Sequence, residues 1–185
     1  MSQTLRAAPP IDAVTWFNTP APLSLEALRG RVVVIESFQM LCPGCVSNGL
    51  PQATRIFETF RREDVAVIGL HTVFEHHAAQ TPVSLEAFLH EYRIPFPVGV
   101  DAPGEAGGPS VTMTRYGMRG TPTLTLIDRQ GRLRAQHFGH VSDLRLGAEI
   151  MALIGETAPA GQGDAAEDGP AEPEGVCTAE GRAIA

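Results

Sequence analysis

Two apolar runs stand out along the chain: Val32-Val33-Val34-Ile35, continued after Glu36 by Ser37-Phe38, and Val65-Ala66-Val67-Ile68-Gly69-Leu70. Short, continuous and rich in β-branched residues, they read as strands covered on both faces. Between them Val46, Leu50, Ala53, Phe57 and Phe60 recur at steps of three and four, with Ser47, Gln52, Arg55 and Glu58 on other faces. That period predicts a helix over residues 45–62, kinked by Pro51 in its interior. Ser84 is the expected N-cap of a second helix carrying Leu85, Phe88, Leu89 and Tyr92. Residues 96–100 read as a short strand, residues 101–110 as a Gly/Pro loop and residues 111–116 as a helical turn. Residues 123–127 and 133–138 are two strands whose link, Asp128-Arg129-Gln130-Gly131, predicts an antiparallel hairpin. Ser142 caps a last helix that turns Leu146, Ile150, Leu153 and Ile154 inward. Residues 14–30 read as extended pieces bounded by prolines. Strands joined through a helix should run parallel with a right-handed crossover. The economical fold is α/β, a mixed sheet with helices on both faces.

Length and charge narrow this picture. A chain of 185 residues suggests one domain with appendages. No apolar run approaches the roughly 18 residues that cross a bilayer, so no membrane span is expected. The first twelve residues hold no apolar h-region, so no signal peptide and a cytoplasmic location are expected. The net charge of −7 argues against nucleic-acid binding, which needs a basic face. Residues 155–185 hold seven acids and one Arg, and are otherwise rich in Ala, Gly and Pro. Such a segment buries too little apolar surface to offset chain entropy. The expected organisation is a flexible N-terminus over 1–13, a folded domain over 14–154 and an acidic disordered tail over 155–185.

Candidate chemistry sits in Cys42-Pro43-Gly44-Cys45, between the first apolar strand and the first predicted helix. Two cysteines at this spacing fit half a zinc site, a structural disulfide or a redox pair. No second ligand pair accompanies them, since the remaining Cys177 lies in the tail. A strand-to-helix junction favours the redox reading. The attacking species is a thiolate, and unpaired N–H groups at a helix N-terminus stabilise it. Cys42 is therefore the expected nucleophile, and Cys45, one turn inside, the shielded resolving thiol, the two forming a redox-active disulfide when oxidised.

With LEALRGRVVVIESF, CPGC and RGTPTLTLIDRQGRL in view, the chain resembles the thioredoxin-like superfamily, closest to its redoxin or TlpA-type thiol–disulfide oxidoreductases. The likeness spans about residues 14–154. It implies a thioredoxin-like three-layer α/β/α fold with a mixed central sheet and a redoxin-type insertion. It further implies that Pro122 is a cis proline facing the cysteine pair, with Thr121 offering its backbone to an extended substrate and Leu41 and Pro43 flanking it. Glu36 interrupts an apolar strand, where an ionised carboxylate is costly. It stands six residues before Cys42, where similar thioredoxins carry a buried Asp, and the resemblance implies a proton acceptor for Cys45. The chain departs from the family in carrying Leu41 for the usual Trp and Pro-Gly for Gly-Pro. Related peroxiredoxins need a Thr three residues before the reactive cysteine; here that residue is Gln39.

The expected activity is thiol–disulfide exchange with a protein or small-thiol partner through a mixed disulfide, by a monomer that uses no cofactor or metal and draws on an upstream electron donor. Alternatives are a peroxiredoxin-like thiol peroxidase, a thioredoxin-like scaffold that binds partners without turnover, and a copper- or zinc-binding module that uses the cysteines with His71, His76 or His77. Adjacent residues of an extended chain point to opposite sides, which weakens a joint role for His76 and His77. Cys177 leaves an odd cysteine whose role stays open.

Overall fold

The computed structural model describes residues 6–105 and 108–156; most of the tail, with Cys177, lies outside the described residues. Six strands form one sheet: β1 (Ala13–Phe17), β2 (Val32–Phe38), β3 (Val65–His71), β4 (Val98–Asp101), β5 (Thr123–Ile127) and β6 (Leu133–Phe138). Their order is β1-β4-β3-β2-β5-β6. β2 and β3 are parallel, as are β3 and β4, while β5 and β6 form the antiparallel hairpin and β5 lies antiparallel to β2. Every residue of β2 is buried, as its continuous apolar run requires.

The helices are α1 (Leu50–Thr59), α2 (Pro82–Glu91), α3 (Val111–Tyr116) and α4 (Asp143–Gly155). Alternation along β2 sends Val32, Val34 and Phe38 to the face covered by α1, α2 and α4, through Leu50, Ile56, Leu85, Leu89, Leu146 and Ile150. Val33 and Ile35 face the other way, against Leu25 and Leu28. Met113 and Tyr116 of α3 form a smaller cluster with Met118. Glu36 shares the parity of Val34 and Phe38, which places it under α1.

Several local expectations differ from the structure, and the strand expected over 96–100 spans Val98–Asp101. The helix predicted over 45–62 opens as a π-helical turn, Cys45–Gly49, and ends at Thr59. The Leu50 N–H donates to the Cys45 carbonyl, five residues back. Pro51 has no N–H, and its ring crowds the carbonyl four residues earlier; the wider turn ahead of it accommodates both, in place of a sharp kink. The second helix is capped by Thr81, whose hydroxyl accepts from the Ser84 N–H, so Ser84 lies inside the first turn. Residues 6–12, expected to be flexible, are tied down. The Arg6 carbonyl accepts from Leu133 N–H, and Ala8 N–H donates to the Gly131 carbonyl. Tyr116 Oη donates to the Pro9 carbonyl at 2.6 Å, and Asp12 pairs with Arg115 at 2.6 Å.

Two buried aspartates brace the frame. Asp101, at the end of β4, accepts from the N–H groups of Thr112 (2.9 Å) and Met113 (3.1 Å) and from Thr72 Oγ1 (3.0 Å), so α3 is capped from the neighbouring strand. Asp128 closes the hairpin turn by accepting from Gln130 N–H (3.0 Å) and Arg132 N–H (2.9 Å). Burial pushes the Asp128 carboxyl up, but hydrogen bonds from Arg132 and Arg134 outweigh it and hold the group below the ordinary range.

Candidate active site

β2 ends at Phe38, and residues 39–42 turn the chain out of the sheet, the Cys42 N–H donating to the Gln39 carbonyl at 3.3 Å. Helical backbone starts at Pro43, which makes Cys42 the cap residue and puts the proline where its missing N–H costs nothing. The Cys42 carbonyl accepts from the N–H groups of Cys45 (3.0 Å) and Val46 (3.1 Å). Its Sγ accepts from the same Cys45 N–H at 3.3 Å. The sulfur therefore takes the place that a Ser or Asp oxygen holds at an N-cap, on a donor it shares with the Cys42 carbonyl and at the positive end of the helix.

The two thiols differ in setting. Cys42 is half-buried and Cys45 fully buried, both as free thiols. Burial pushes the Cys45 thiol far up, reinforced by its hydrogen bond with Cys42. The Thr121–Pro122 bond is cis, and the Cys42 thiol donates to the Thr121 carbonyl at 3.5 Å. A Cβ built on Gly44 would lie 3.3 Å from Pro122 Cδ, so the proline packs directly on the first helical turn. Leu41 and Pro43 are exposed beside Cys42.

Glu36 is buried beneath this turn, and its Oε1 has no hydrogen-bond partner among the described residues. A side chain at Gly49 would collide with that oxygen and come within 3.0 Å of Pro122 Cβ. The absent Cβ of Gly49, one turn beyond Cys45, thus makes room for the carboxyl. Burial raises the Glu36 pKa from 4.5 to about 8.

The histidines do not converge. His71 ends β3 and is fully buried against the Phe38 ring, 5.4 Å between centroids. Burial lowers its pKa to about 4. His76 and His77 are exposed on the following loop. Among the described residues no group of three or more His, Cys, Asp or Glu is placed to hold a metal ion.

Cys42, Cys45, Glu36, Thr121 and Pro122, all expected from the sequence, lie together around the first turn of one helix. The sequence pattern assigns no part in the site to Gly49 or Gln80, and marks Gln39 only as a departure from the peroxiredoxin Thr. Gln39 and Gln80 are buried and hydrogen-bonded to each other at 2.9 Å. Nothing in the local pattern links two glutamines 41 residues apart.

The AhpC/TSA family model matches residues 6–136. A crystal structure of a thioredoxin-like superfamily protein is 60% identical, covers 83% of this chain and 99% of its own, and superposes with a TM-score of 0.81. A thiol-disulfide isomerase from Corynebacterium glutamicum is 49% identical over 81% of this chain and 98% of its own, with a TM-score of 0.78. Among curated proteins, DipZ of Mycobacterium tuberculosis is 30% identical over 135 residues, 71% of this chain. The thiol-disulfide oxidoreductase ResA of Halalkalibacterium halodurans is 24% identical over 132 residues, 71% of this chain and 67% of its own. The chain spans only 18% of the length of DipZ. The fold is thioredoxin-like.

Proposed function

The chain belongs to the AhpC/TSA family, and from that premise we propose that it is a thiol–disulfide oxidoreductase that works through Cys42 and Cys45. One observation carries this reading: Cys42 Sγ sits on the Cys45 N–H at a helix N-terminus, half-exposed, with Cys45 buried behind it. The Cys42 thiolate attacks a substrate disulfide, forming a mixed disulfide and expelling one substrate thiolate. Cys45 then passes its proton to Glu36 and attacks the Cys42 sulfur. The second substrate thiolate leaves, and the Cys42–Cys45 disulfide remains. The electron balance is two electrons from the thiol pair to the substrate disulfide; the reverse sequence oxidises a dithiol.

The setting of the second step supports the assignment of Glu36. A thiol pushed up by burial gives up its proton poorly to water, and a buried carboxyl near pKa 8 is matched to a proton transfer near neutrality. The exposed Leu41 and the cis peptide at Thr121–Pro122 are the groups we assign to the substrate chain. Proteins or small molecules carrying a disulfide are the expected substrates.

The setting of Gln39 favours disulfide exchange over peroxide reduction. It occupies the position where peroxiredoxins place Thr, and its amide carbonyl accepts from Phe74 N–H and Gln80 Nε2. The side chain is engaged away from the Cys42 sulfur.

Cys42→Ser is expected to abolish insulin-disulfide reduction, while Cys45→Ser accumulates mixed disulfides with its partners. Site-resolved alkylation at pH 7 checks the roles: Cys42 should be modified faster than Cys45, and the opposite order would overturn the assignment.

A further inference from the structure

The turn that presents Cys42 is held from outside the cysteine motif. Gln39 and Gln80 are 1% and 4% exposed, yet both amides are engaged. Gln39 Oε1 accepts from Gln80 Nε2 at 2.9 Å and from Phe74 N–H at 3.3 Å. Gln39 Nε2 donates to Glu75 Oε1 at 3.4 Å. Gln80 Nε2 donates also to the Glu75 carbonyl at 2.9 Å, and Gln80 Oε1 accepts from Leu41 N–H at 3.5 Å. The backbone carbonyl of Gln39 closes the turn on Cys42 N–H. Two amides therefore staple residues 39–42 to residues 74–80.

The far side of the staple is itself anchored. Thr72 N–H donates to the Phe38 carbonyl at 3.0 Å, and Ser110 Oγ donates to the Val73 carbonyl at 2.9 Å. Gln80 immediately precedes Thr81, the cap of α2. Gln80 thus reaches the Cys42 turn from the capped start of a helix. Buried amides cost free energy unless paired, and apolar residues would fill the same volume without that cost. What the amides add is a fixed direction for the Leu41 N–H and the Gln39 side chain.

We infer that Gln80 is a positioning residue for the reactive thiol: through Gln39 and the Leu41 N–H it holds the turn that keeps Cys42 Sγ on the Cys45 N–H. The inference rests on the reading of Cys42 as the attacking thiol. Loosening the turn lets the sulfur leave its 3.3 Å contact with Cys45 N–H. The thiolate then loses a charge-assisted hydrogen bond, while the thiol loses little.

Site-resolved iodoacetamide alkylation of Cys42 across pH 6–10, in the full-length reduced protein, tests this. In Gln80→Leu the rate at pH 7 is expected to fall roughly ten- to hundredfold, about the effect of one lost hydrogen bond to a charged group. At the alkaline end of the profile the two rates should converge. Loss of packing or access alone would change both ends of the profile or neither. The double variant Gln39→Leu/Gln80→Leu leaves neither glutamine amide behind as an orphan. It should recover stability relative to Gln80→Leu and keep the slow rate at pH 7. A profile identical to the unaltered protein in either variant would overturn the inference. Hydrogen exchange on the unaltered protein gives an independent reading that needs no variant to fold. The Leu41 amide should be protected, and exchange at the rate of a free peptide would overturn the inference too. Alkylation of Cys45 before Cys42 in the unaltered protein would instead sink the assignment of the nucleophile.

Discussion

At the scale of residues, Glu36 decides most. Its carboxyl is buried, without a partner among the described residues, and pushed up to about 8 from 4.5. Between pH 4.5 and 8 the unfolded chain has released this proton and the folded one keeps it. The unfolded state then binds fewer protons, so this group makes stability fall with rising pH, by about 1.4 kcal/mol per unit within the window. Glu36→Gln removes that slope: denaturant unfolding at pH 5, 7 and 9 should show the variant gaining on the original protein as pH rises. The same substitution should slow mixed-disulfide decay by about 10²–10⁴-fold and leave the initial attack by Cys42 nearly unchanged. Stopped-flow decay measured from pH 6 to 9 should rise toward pH 8 in the original protein and lose that rise in the variant. Equal decay rates beside a less stable variant would identify Glu36 as purely structural. Its candidacy was legible because a lone carboxylate in VVVIESF breaks an apolar run. The space it occupies was not, because that space is a missing Cβ thirteen residues away, at Gly49.

Among elements, those specified by their own pattern agree with the sequence reading: β2, β3, the β5–β6 hairpin and α4. Their apolar period, turn residues and cap lie inside the segment they describe. Elements finished by distant groups do not. α3 has six residues and is capped by Asp101 of β4, and no local signal announces a cap ten residues upstream. The start of α2 differs from the expected one because Thr81 and Ser84 both carry a hydroxyl able to cap, and only the bond from Ser84 N–H to Thr81 Oγ1 decides between them. Thr81→Ala should therefore cost about 1 kcal/mol, and Ser84→Ala only a few tenths. Urea unfolding of the two variants separates them, and equal losses would return the cap to Ser84. Because Gln80 abuts this cap, fraying of α2 should also reach the Cys42 turn.

Over the whole molecule, the sheet joins distant parts of the chain. Arg134 pairs with Asp128 and with Glu156, so the folded unit extends to residue 156. Removing residues 157–185, which carry most of the net negative charge, is expected to shift the melting temperature by no more than a few degrees. A larger drop in a calorimetric scan would mean that this acidic segment contributes to the fold. At the other end, Arg6 and Ala8 bond to Leu133 and Gly131 across more than 120 positions. Such contacts raise the sequence separation of native pairs and slow folding. During synthesis from the N-terminus, Cys42 and Cys45 emerge well before Thr121 and Pro122, which cover them in the finished sheet. β2 also waits for β5, its neighbour on the hairpin side. A growing chain therefore carries two uncovered thiols for the time needed to add about eighty more residues, several seconds at ordinary elongation rates. For that interval the chain is itself open to thiol chemistry, before the fold that shields its cysteines is complete.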